Sequence, residues 1–297
     1  MRGPLVVTAP AKVNLFLHIG QKRSDGYHDL QSLVAFAGVG DEISLESDDG
    51  FSLSPGGPFG AQLSGLEENL ALKAAKLFAE KTGTTRGVRI DLRKNLPIAS
   101  GLGGGSADAA AVLRGLARLW QLNPDQSALL ETAELIGADV PVCVASRTSW
   151  MEGRGELVHP LPPLPIAGLL LVNPGVHIPT AHAFAALGAR HGTGMLAPNA
   201  PFPDVYALVH FLRDTKNDLE APAKMIAPAV ADVLQELNGL PGALFACMSG
   251  SGATCFALFA DQQEARAAAT PLQEAHPDWW ICKTTFVDNP HALAGLA

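Results

Sequence analysis

The sequence has little of several features that would mark a class of protein. Only 17% of its 297 residues are charged, and 21 lysines and arginines face 29 aspartates and glutamates, which argues against a general nucleic-acid binder. It contains no apolar run near the length of a membrane span and no unbroken apolar N-terminal stretch typical of a signal peptide. Its four cysteines form no CxxC pair, so a zinc site or disulfide framework is not expected. We expect a soluble cytoplasmic protein with reduced thiols, no nucleic-acid or membrane partner and no obligate protein partner.

Glycine and proline are abundant, with 30 and 22 residues and no fixed period, which indicates many shaped loops around a sizeable core. Hydrophobic periodicity predicts strands at 5–8, 13–19, 43–46, 88–92, 169–172, 244–247, 254–259 and 281–287. It predicts helices at 69–81, 106–120, 125–136, 181–189, 205–212, 228–237 and 262–274. Residues 48–65 are expected to form a loop, and 157–165, with four prolines, a linker or irregular crossover. This order favours an α+β fold over a doubly wound parallel sheet.

The most informative segment runs from Leu96 to Ala110, where a strand leads through a glycine cluster into an alanine-rich helix. Such a loop suits a phosphate group, because glycines allow close approach and the helix N-terminus adds partial positive charge. A P-loop would need a lysine after its last glycine, and Ser106 follows Gly105 here. A dinucleotide fingerprint would need a sixth-position glycine and a second strand, and both are missing. A plain flexible loop remains the structural alternative.

Two further segments, APAKVNL at 9–15 and GSGAT at 250–254, join the glycine loop. Together, and in this order, the three resemble the signature motifs of the GHMP kinases, a family of small-molecule kinases. DGYH at 25–28, GADVP at 137–141, NPGV at 173–176, IPT at 178–180, NDLE at 217–220 and MSGSG at 248–252 extend the resemblance. The triple glycine at 103–105 makes the sequence most similar to the branch that phosphorylates a cytidine-diphosphate-linked methylerythritol.

The resemblance implies a two-domain α+β fold. Residues 1–158 would form an N-terminal, ATP-binding α/β domain similar to domain 2 of ribosomal protein S5. Residues 159–297 would form a C-terminal ferredoxin-like α+β sandwich that completes the substrate site. The implied reaction transfers phosphate from ATP, as MgATP, to the 2-hydroxyl of the small-molecule acceptor, in the non-mevalonate route to isoprenoid precursors.

The resemblance also assigns residues to roles. Asp139 would accept the proton of the acceptor hydroxyl, with Lys12 as its electrostatic partner. The residues expected at ATP are Lys94, Pro97, Ile98, Ala99, Ser100, Gly101, Leu102, Gly103, Gly104, Gly105, Ser106 and Ala107. Those expected at the acceptor are Asn14, Tyr27, His28, Thr180 and Phe184. The triple glycine removes a serine that relatives use for magnesium, so the metal ligand is unassigned, with Ser106 a candidate.

Each assignment has an ordinary structural alternative. Asp139 could be a helix-end carboxylate, and Lys12 and Lys94 could be exposed strand lysines. Tyr27 and His28 could be surface and turn residues, and Phe184 a core residue. At the level of function, the alternatives are a GHMP kinase of the homoserine or mevalonate type and an inactive GHMP-fold ligand sensor. A sensor would be expected to lack the lysine or the aspartate. A dehydrogenase ranks last.

Overall fold

The computed structural model describes residues 3–63, 69–122, 126–187 and 194–288. Its strands are β1 (Leu5–Asn14), β2 (His18–Lys22), β3 (His28–Asp48), β4 (Phe51–Gly56), β5 (Gly87–Arg93), β6 (Ser149–Glu152), β7 (Leu157–Pro160), β8 (Gly168–Asn173), β9 (Phe245–Met248), β10 (Cys255–Phe259), β11 (Trp280–Thr284) and β12 (Phe286–Val287). Its α-helices are α1 (Leu70–Thr82), α2 (Gly104–Leu119), α3 (Gln126–Ile136), α4 (Val140–Ala145), α5 (Thr180–Ala185), α6 (Val205–Leu212), α7 (Glu220–Ile226), α8 (Ala229–Gly239) and α9 (Gln262–Ala275).

The first sheet is organised by the 21-residue strand β3. The strand order is β4-β5-β3-β6-β7, and β1, β2 and β12 also pair with β3. All these pairings are antiparallel except that of β4 with β5. Strand β1 pairs with β3 along most of its own length, so Lys12 and Asn14, near the end of β1, are held in register with Phe36 and Val34.

The second sheet has the order β11-β8-β10-β9, and its pairings are antiparallel. Helix α8 contacts β9 and β10, while α9 contacts β8, β10 and β11. A βαββαβ order with this strand arrangement is the ferredoxin-like sandwich. The predicted two-domain α+β class, with a ferredoxin-like C-terminal part, is therefore confirmed.

The two sheets share a hydrophobic core, which fixes the cleft between them. Leu169 and Leu171 of β8 face residues of β1 and β3, such as Val13 and Ala35, and helix α6 closes the side. Leu170 on the opposite face of β8 joins a second cluster under α8 and α9. This period-two alternation lets one strand bury both faces. A third cluster packs the first sheet against α1 to α4.

The helices that flank the glycine loop begin and end where the local sequence requires. The Asn69 side chain accepts a hydrogen bond from the Ala71 N–H and caps α1, which ends at Gly83 with φ of 66°. Helix α2 is buried along most of its length and rich in alanine, so it lies close to the sheet. A Cβ on its Gly115 would overlap Leu45 of β3.

Several elements differ from the predictions. The expected loop at 48–65 contains β4, which pairs in parallel with β5, and the expected strand at 13–19 is broken between β1 and β2. The expected linker at 157–165 begins with β7, paired to β6. Helix α5 ends at Ala185, earlier than predicted, and residue 189 lies outside the described residues. The short helices α4 and α7 were not predicted, because six or seven residues carry too little periodicity.

The domain division at residue 158 stays a prediction. That position falls within β7, and the C-terminal strand β12 belongs to the first sheet. Residue 125, the first of the helix predicted at 125–136, lies outside the described residues. Within the described ranges, no helix combines the length and apolarity needed to cross a membrane. The cysteines are free thiols, and Cys143, Cys247 and Cys255 are buried.

Candidate active site

A cleft of about 660 Å³ collects most of the residues that the sequence singled out. The predicted residues that line it are Lys12, Asn14, Tyr27, Lys94, Pro97, Ile98, Ala99, Ser100, Gly101, Gly103, Gly104, Gly105, Ser106, Asp139, Thr180 and Phe184. Leu102, Ala107 and His28 do not line it: Leu102 and Ala107 are buried, and the His28 ring lies beside that of Phe184. Segments far apart in the chain therefore converge on one opening.

The glycine loop adopts left-handed backbone conformations that explain its composition. Gly101 and Gly103 have φ of 79° and 62°, and Ala99 also has a positive φ of 51°. A Cβ on Gly101 would overlap the carbonyl oxygen of Ser249. Helix α2 begins directly after Gly103, which has no side chain to cap it. Its first N–H groups therefore face the cleft without intrahelical partners, which is the geometry of an anion site.

The GSGAT segment holds the glycine loop in place from the second sheet. The buried Ser249 hydroxyl donates to the Gly101 carbonyl at 3.0 Å and accepts from the Asn14 N–H at 3.1 Å. The Thr254 N–H donates to the Ser100 carbonyl at 3.0 Å. One turn thus connects β1, the glycine loop and the β9–β10 hairpin, so the loop is fixed and not free to flex at its base.

Lys12 and Asp139 form an ion pair in the cleft. Lys12 Nζ lies 3.0 Å from Asp139 Oδ2 and donates to Asn14 Oδ1, also at 3.0 Å. The lysine side chain is 4% exposed, whereas that of the aspartate is 40% exposed, so the carboxylate remains open to a ligand. The Asn14 amide donates in turn to the Ser32 hydroxyl at 2.8 Å, which fixes its orientation. Lys12 is therefore a buried, oriented ammonium and not the exposed strand lysine of the structural alternative.

Asp139 occupies the N-cap position of α4, but its side chain makes no capping hydrogen bond. The far end of that short helix is held by the buried Arg114, which donates to the Cys143 carbonyl at 2.7 Å and to the Ser146 hydroxyl at 3.2 Å. It also donates to the Thr8 carbonyl of β1 at 3.2 Å. Arg114 therefore ties the helix that carries Asp139 to the strand that carries Lys12.

Lys94 lies in a buried cluster behind the first turn of α2. Its ammonium contacts Asp41 and lies 2.7 Å from Asp108 Oδ2. Burial alone would lower the pKa of Lys94, but the charges of Asp108 and Asp41 outweigh that effect and raise it. Burial, with a contribution from Asp41, raises the pKa of Asp108 to about 7 against the opposing effect of Lys94. Lys94 is therefore a charged group held by two carboxylates, and its predicted contact with ATP stays a prediction.

Apart from Asn14, which contacts Lys12, the residues expected to hold the acceptor come from the β2–β3 turn, the start of β3 and helix α5. The Tyr27 side chain is exposed, and its N–H donates to Asp25 Oδ1 at 3.1 Å. The His28 ring lies 5.7 Å from that of Phe184, and its Nδ1 is 3.2 Å from the Gly20 carbonyl oxygen. The Thr180 and Ser251 hydroxyls are 2.9 Å apart, which joins α5 to the GSGAT turn. Aromatic faces and polar groups lie side by side here, as recognition of a planar base requires.

Three charged residues of the site were not identified from the sequence. Asp41 and Asp108 complete the Lys94 cluster, and Asp108 Oδ1 is buried with no hydrogen-bond partner among the described residues. Arg154 lines the cleft beside Tyr27. Asp108 is a polar residue in the alanine-rich helix, three positions after Gly105. This pattern in the sequence could have identified it as a residue of the site. Arg154 follows no motif that sequence reasoning could use.

Comparisons with known proteins find similar proteins over most of the chain. Residues 69–147 match the family model of the GHMP kinases N terminal domain, and residues 204–278 match that of the GHMP kinases C terminal. A relative from Parvibaculum lavamentivorans is 46% identical over 95% of this chain and 98% of its own length. One from Paramagnetospirillum magneticum is 49% identical over 93% of this chain and 96% of its own. Both carry the name 4-diphosphocytidyl-2-C-methyl-D-erythritol kinase.

Two solved structures are also similar to this chain. A crystal structure of 4-(cytidine 5'-diphospho)-2C-methyl-D-erythritol kinase has a TM-score of 0.75 and 34% identity, covering 95% of this chain and 99% of that one. A homoserine kinase from Cytophaga hutchinsonii has a TM-score of 0.69 at 19% identity, covering 97% of this chain and 96% of that one. The second likeness concerns the fold alone.

Proposed function

The chain belongs to the GHMP kinase family of ATP-dependent phosphotransferases, and from this premise we propose the acceptor and the residues that act on it. The acceptor is 4-diphosphocytidyl-2-C-methyl-D-erythritol, the compound in the names of the relatives, and the phosphoryl group goes to its 2-hydroxyl. The reaction belongs to the non-mevalonate route to isoprenoid precursors. The observation that carries the proposal is the Lys12–Asp139 pair, 3.0 Å apart, in one cleft with the glycine loop and the Tyr27 and Phe184 side chains.

In this proposal Asp139 accepts the proton of the 2-hydroxyl while the hydroxyl oxygen forms a bond to the terminal phosphorus of ATP. The bond from that phosphorus to the bridging oxygen breaks, and the electron pair leaves with ADP. The Lys12 ammonium stabilises the negative charge on the attacking oxygen and on the transferring group. Asn14 keeps Lys12 directed into the cleft.

The residues present fit MgATP. The φ values of Gly101 and Gly103 and the free N–H groups at the start of α2 suit its phosphates. The described residues contain no group of three or more His, Cys, Asp or Glu side chains that could hold a metal ion. Mg²⁺ binds mainly to substrate phosphates and water, and Ser106, which lines the cleft in the first turn of α2, is the side chain that would hold it. When bound, the metal supplies charge neutralisation at the phosphates.

The experiment is an acceptor panel. The protein, with MgATP, is offered the CDP-linked methylerythritol, homoserine, mevalonate and galactose, and ADP release is measured for each. We expect release with the CDP-linked alcohol alone. Release only with one of the others would reject this acceptor while keeping the kinase. No release with any alcohol would favour the inactive sensor, although the retained Lys12 and Asp139 support an active enzyme.

A further inference from the structure

The turn between β6 and β7 joins the two ends of the cleft. The Gly153 carbonyl accepts a hydrogen bond from the Leu30 N–H at 2.8 Å, close to the Tyr27 loop. On the other side, Gly155 lies against Ala138, where an added Cβ would be 3.4 Å from the carbonyl oxygen. Ala138 directly precedes Asp139. The residue between these two glycines, Arg154, is therefore held between the Tyr27 end of the cleft and the phosphoryl-transfer end.

Arg154 differs from the other cations that line the described part of the cleft. Lys12 is paired with Asp139, and Lys94 is buried between Asp41 and Asp108. The Arg154 side chain is 41% exposed, and its ion pair with Glu156 joins Nε to a carboxylate oxygen at 3.6 Å, which is too long for a hydrogen bond. The backbone N–H of Arg154 also donates to Glu156 Oε2 at 2.5 Å. Its guanidinium carbon lies 5.1 Å from the centre of the Tyr27 ring. The guanidinium thus stays in the cleft, oriented by an aromatic face.

The proposed acceptor has a part that no residue has yet been assigned to bind. Its base would lie near Tyr27 and Phe184, and its reacting hydroxyl near Asp139, so the diphosphate that links the nucleoside to the alcohol must lie between them. A diphosphate carries negative charge that needs a cation or oriented N–H groups. The N–H groups of the glycine loop are occupied by ATP in the proposed reaction.

We propose that Arg154 binds the diphosphate of the acceptor and so selects nucleoside-diphosphate-linked alcohols over uncharged ones. This inference rests on the proposed function and deepens it. Arginine suits the task because its planar guanidinium can donate two parallel hydrogen bonds to phosphate oxygens. The role is one of binding, since the proposal places Arg154 at the linking diphosphate and Asp139 at the reacting hydroxyl.

The test compares cytidine with CDP. Binding of each is measured by calorimetry in the presence of a non-hydrolysable ATP analogue, which occupies the glycine loop. The proteins are the wild type, Arg154→Gln, Arg154→Lys and the control Arg266→Gln, an exposed arginine on α9. We expect Arg154→Gln to weaken CDP binding about tenfold to a hundredfold while cytidine binding changes little. Arg154→Lys should recover part of the loss, and Arg266→Gln should match the wild type.

Kinetics provide the second measurement. In Arg154→Gln the KM of the CDP-linked acceptor should rise by the same factor, with kcat and the KM of ATP within about threefold. Equal weakening of cytidine and CDP would overturn the proposal, since Arg154 would then act only through the Tyr27 ring. Unchanged CDP binding in an active enzyme would overturn it while leaving the proposed function intact. A wild type that neither binds CDP nor phosphorylates the CDP-linked alcohol would overturn both.

Discussion

Replacing Asp139 with asparagine tests the proposed proton acceptor with little change in shape. The amide oxygen of the new side chain can still accept a hydrogen bond from Lys12, which also keeps Asn14 as a partner at 3.0 Å. Because the Asp139 side chain is 40% exposed and the buried Lys12 keeps Asn14 and the new amide oxygen as hydrogen-bond partners, we expect the variant to stay folded. Loss of a general base typically costs about 10² to 10⁴ in rate, or about 3–5 kcal/mol of transition-state stabilisation. We therefore expect a large fall in kcat from a folded protein.

The assay is steady-state ADP release with MgATP and the CDP-linked alcohol, accompanied by thermal unfolding of each variant. The KM of ATP should stay within about threefold, because in the proposed mechanism Asp139 acts on the acceptor hydroxyl and the glycine loop binds ATP. A matched control is Asp91→Asn, which removes an exposed carboxylate on β5 and should leave kcat unchanged. If Asp139→Asn kept kcat within about threefold of the wild type, Asp139 would not be the base.

A double variant asks whether Lys12 and Asp139 act as a unit. Lys12→Met retains the aliphatic stem that packs against Gly103, where an added Cβ would be 3.0 Å from the lysine Cε. In the proposed mechanism, the Lys12 ammonium stabilises the negative charge that forms on the attacking oxygen when Asp139 removes its proton. Lys12→Met combined with Asp139→Asn should therefore lower kcat little more than the more damaging single change does. If the two single losses of kcat multiplied in the double variant, Lys12 and Asp139 would act independently.

Three further changes test the surrounding parts of the site. His28→Ala should raise the KM of the acceptor about tenfold while the KM of ATP stays constant, and equal effects on both would contradict the assignment of His28 to the acceptor. Asp108 has a folded-state pKa of about 7, above its unfolded value, so its contribution to stability is greatest at low pH and falls as pH rises toward 7. The variant Asp108→Asn cannot lose stability in this way. In urea unfolding, its free energy of unfolding should therefore rise relative to that of the wild type between pH 4 and 7, by at most about 1.4 kcal/mol per pH unit. A difference between the two proteins that stayed constant with pH would contradict this. Gly101→Ala should destabilise the protein by more than about 1 kcal/mol, since φ is 79° and the new Cβ would overlap the Ser249 carbonyl oxygen. The control Gly239→Ala, a helical position with open space around it, should be neutral or stabilising in the same melts.

Local signals in the sequence predicted elements well where the element carries its own start and end. Helix α1 begins after Asn69, whose side chain caps it, and ends at Gly83, which adopts the left-handed conformation. Helix α6 was predicted over the residues that form it, and its Asp204 N-cap accepts from the Ala207 N–H at 2.8 Å. Caps and 3.6-residue periodicity are properties of a single segment, so they are visible before folding.

Elements that depend on distant partners were missed or shortened. Only 43–46 of β3 was predicted as strand, because much of its earlier part is buried on both faces and shows no period-two alternation. Strand β4 lies in a stretch rich in glycine, serine and proline and exists through its parallel pairing with β5. Tertiary pairing outweighed composition there.

The residues of the site fall into the same two groups, those marked by local motifs and those placed by distant partners. Residues within motifs, such as Lys12 and Asp139, could be named, and the structure brings them to 3.0 Å. The carboxylates around Lys94 could not, since Asp41 lies 53 positions away and reaches the lysine only when β3 and the end of β5 pair. Arg154 stands in a turn whose place between the two ends of the cleft is set entirely by packing.

We propose that this chain moves a phosphoryl group from ATP to the 2-hydroxyl of 4-diphosphocytidyl-2-C-methyl-D-erythritol. Proton-coupled phosphorus NMR of the product tests it most directly. The carbon at position 2 bears a methyl group and no hydrogen, so a phosphate attached there has no three-bond coupling to a proton. We expect ADP together with one new phosphomonoester singlet. A phosphomonoester split by a neighbouring CH or CH₂ group, or no new phosphomonoester at all, would contradict it.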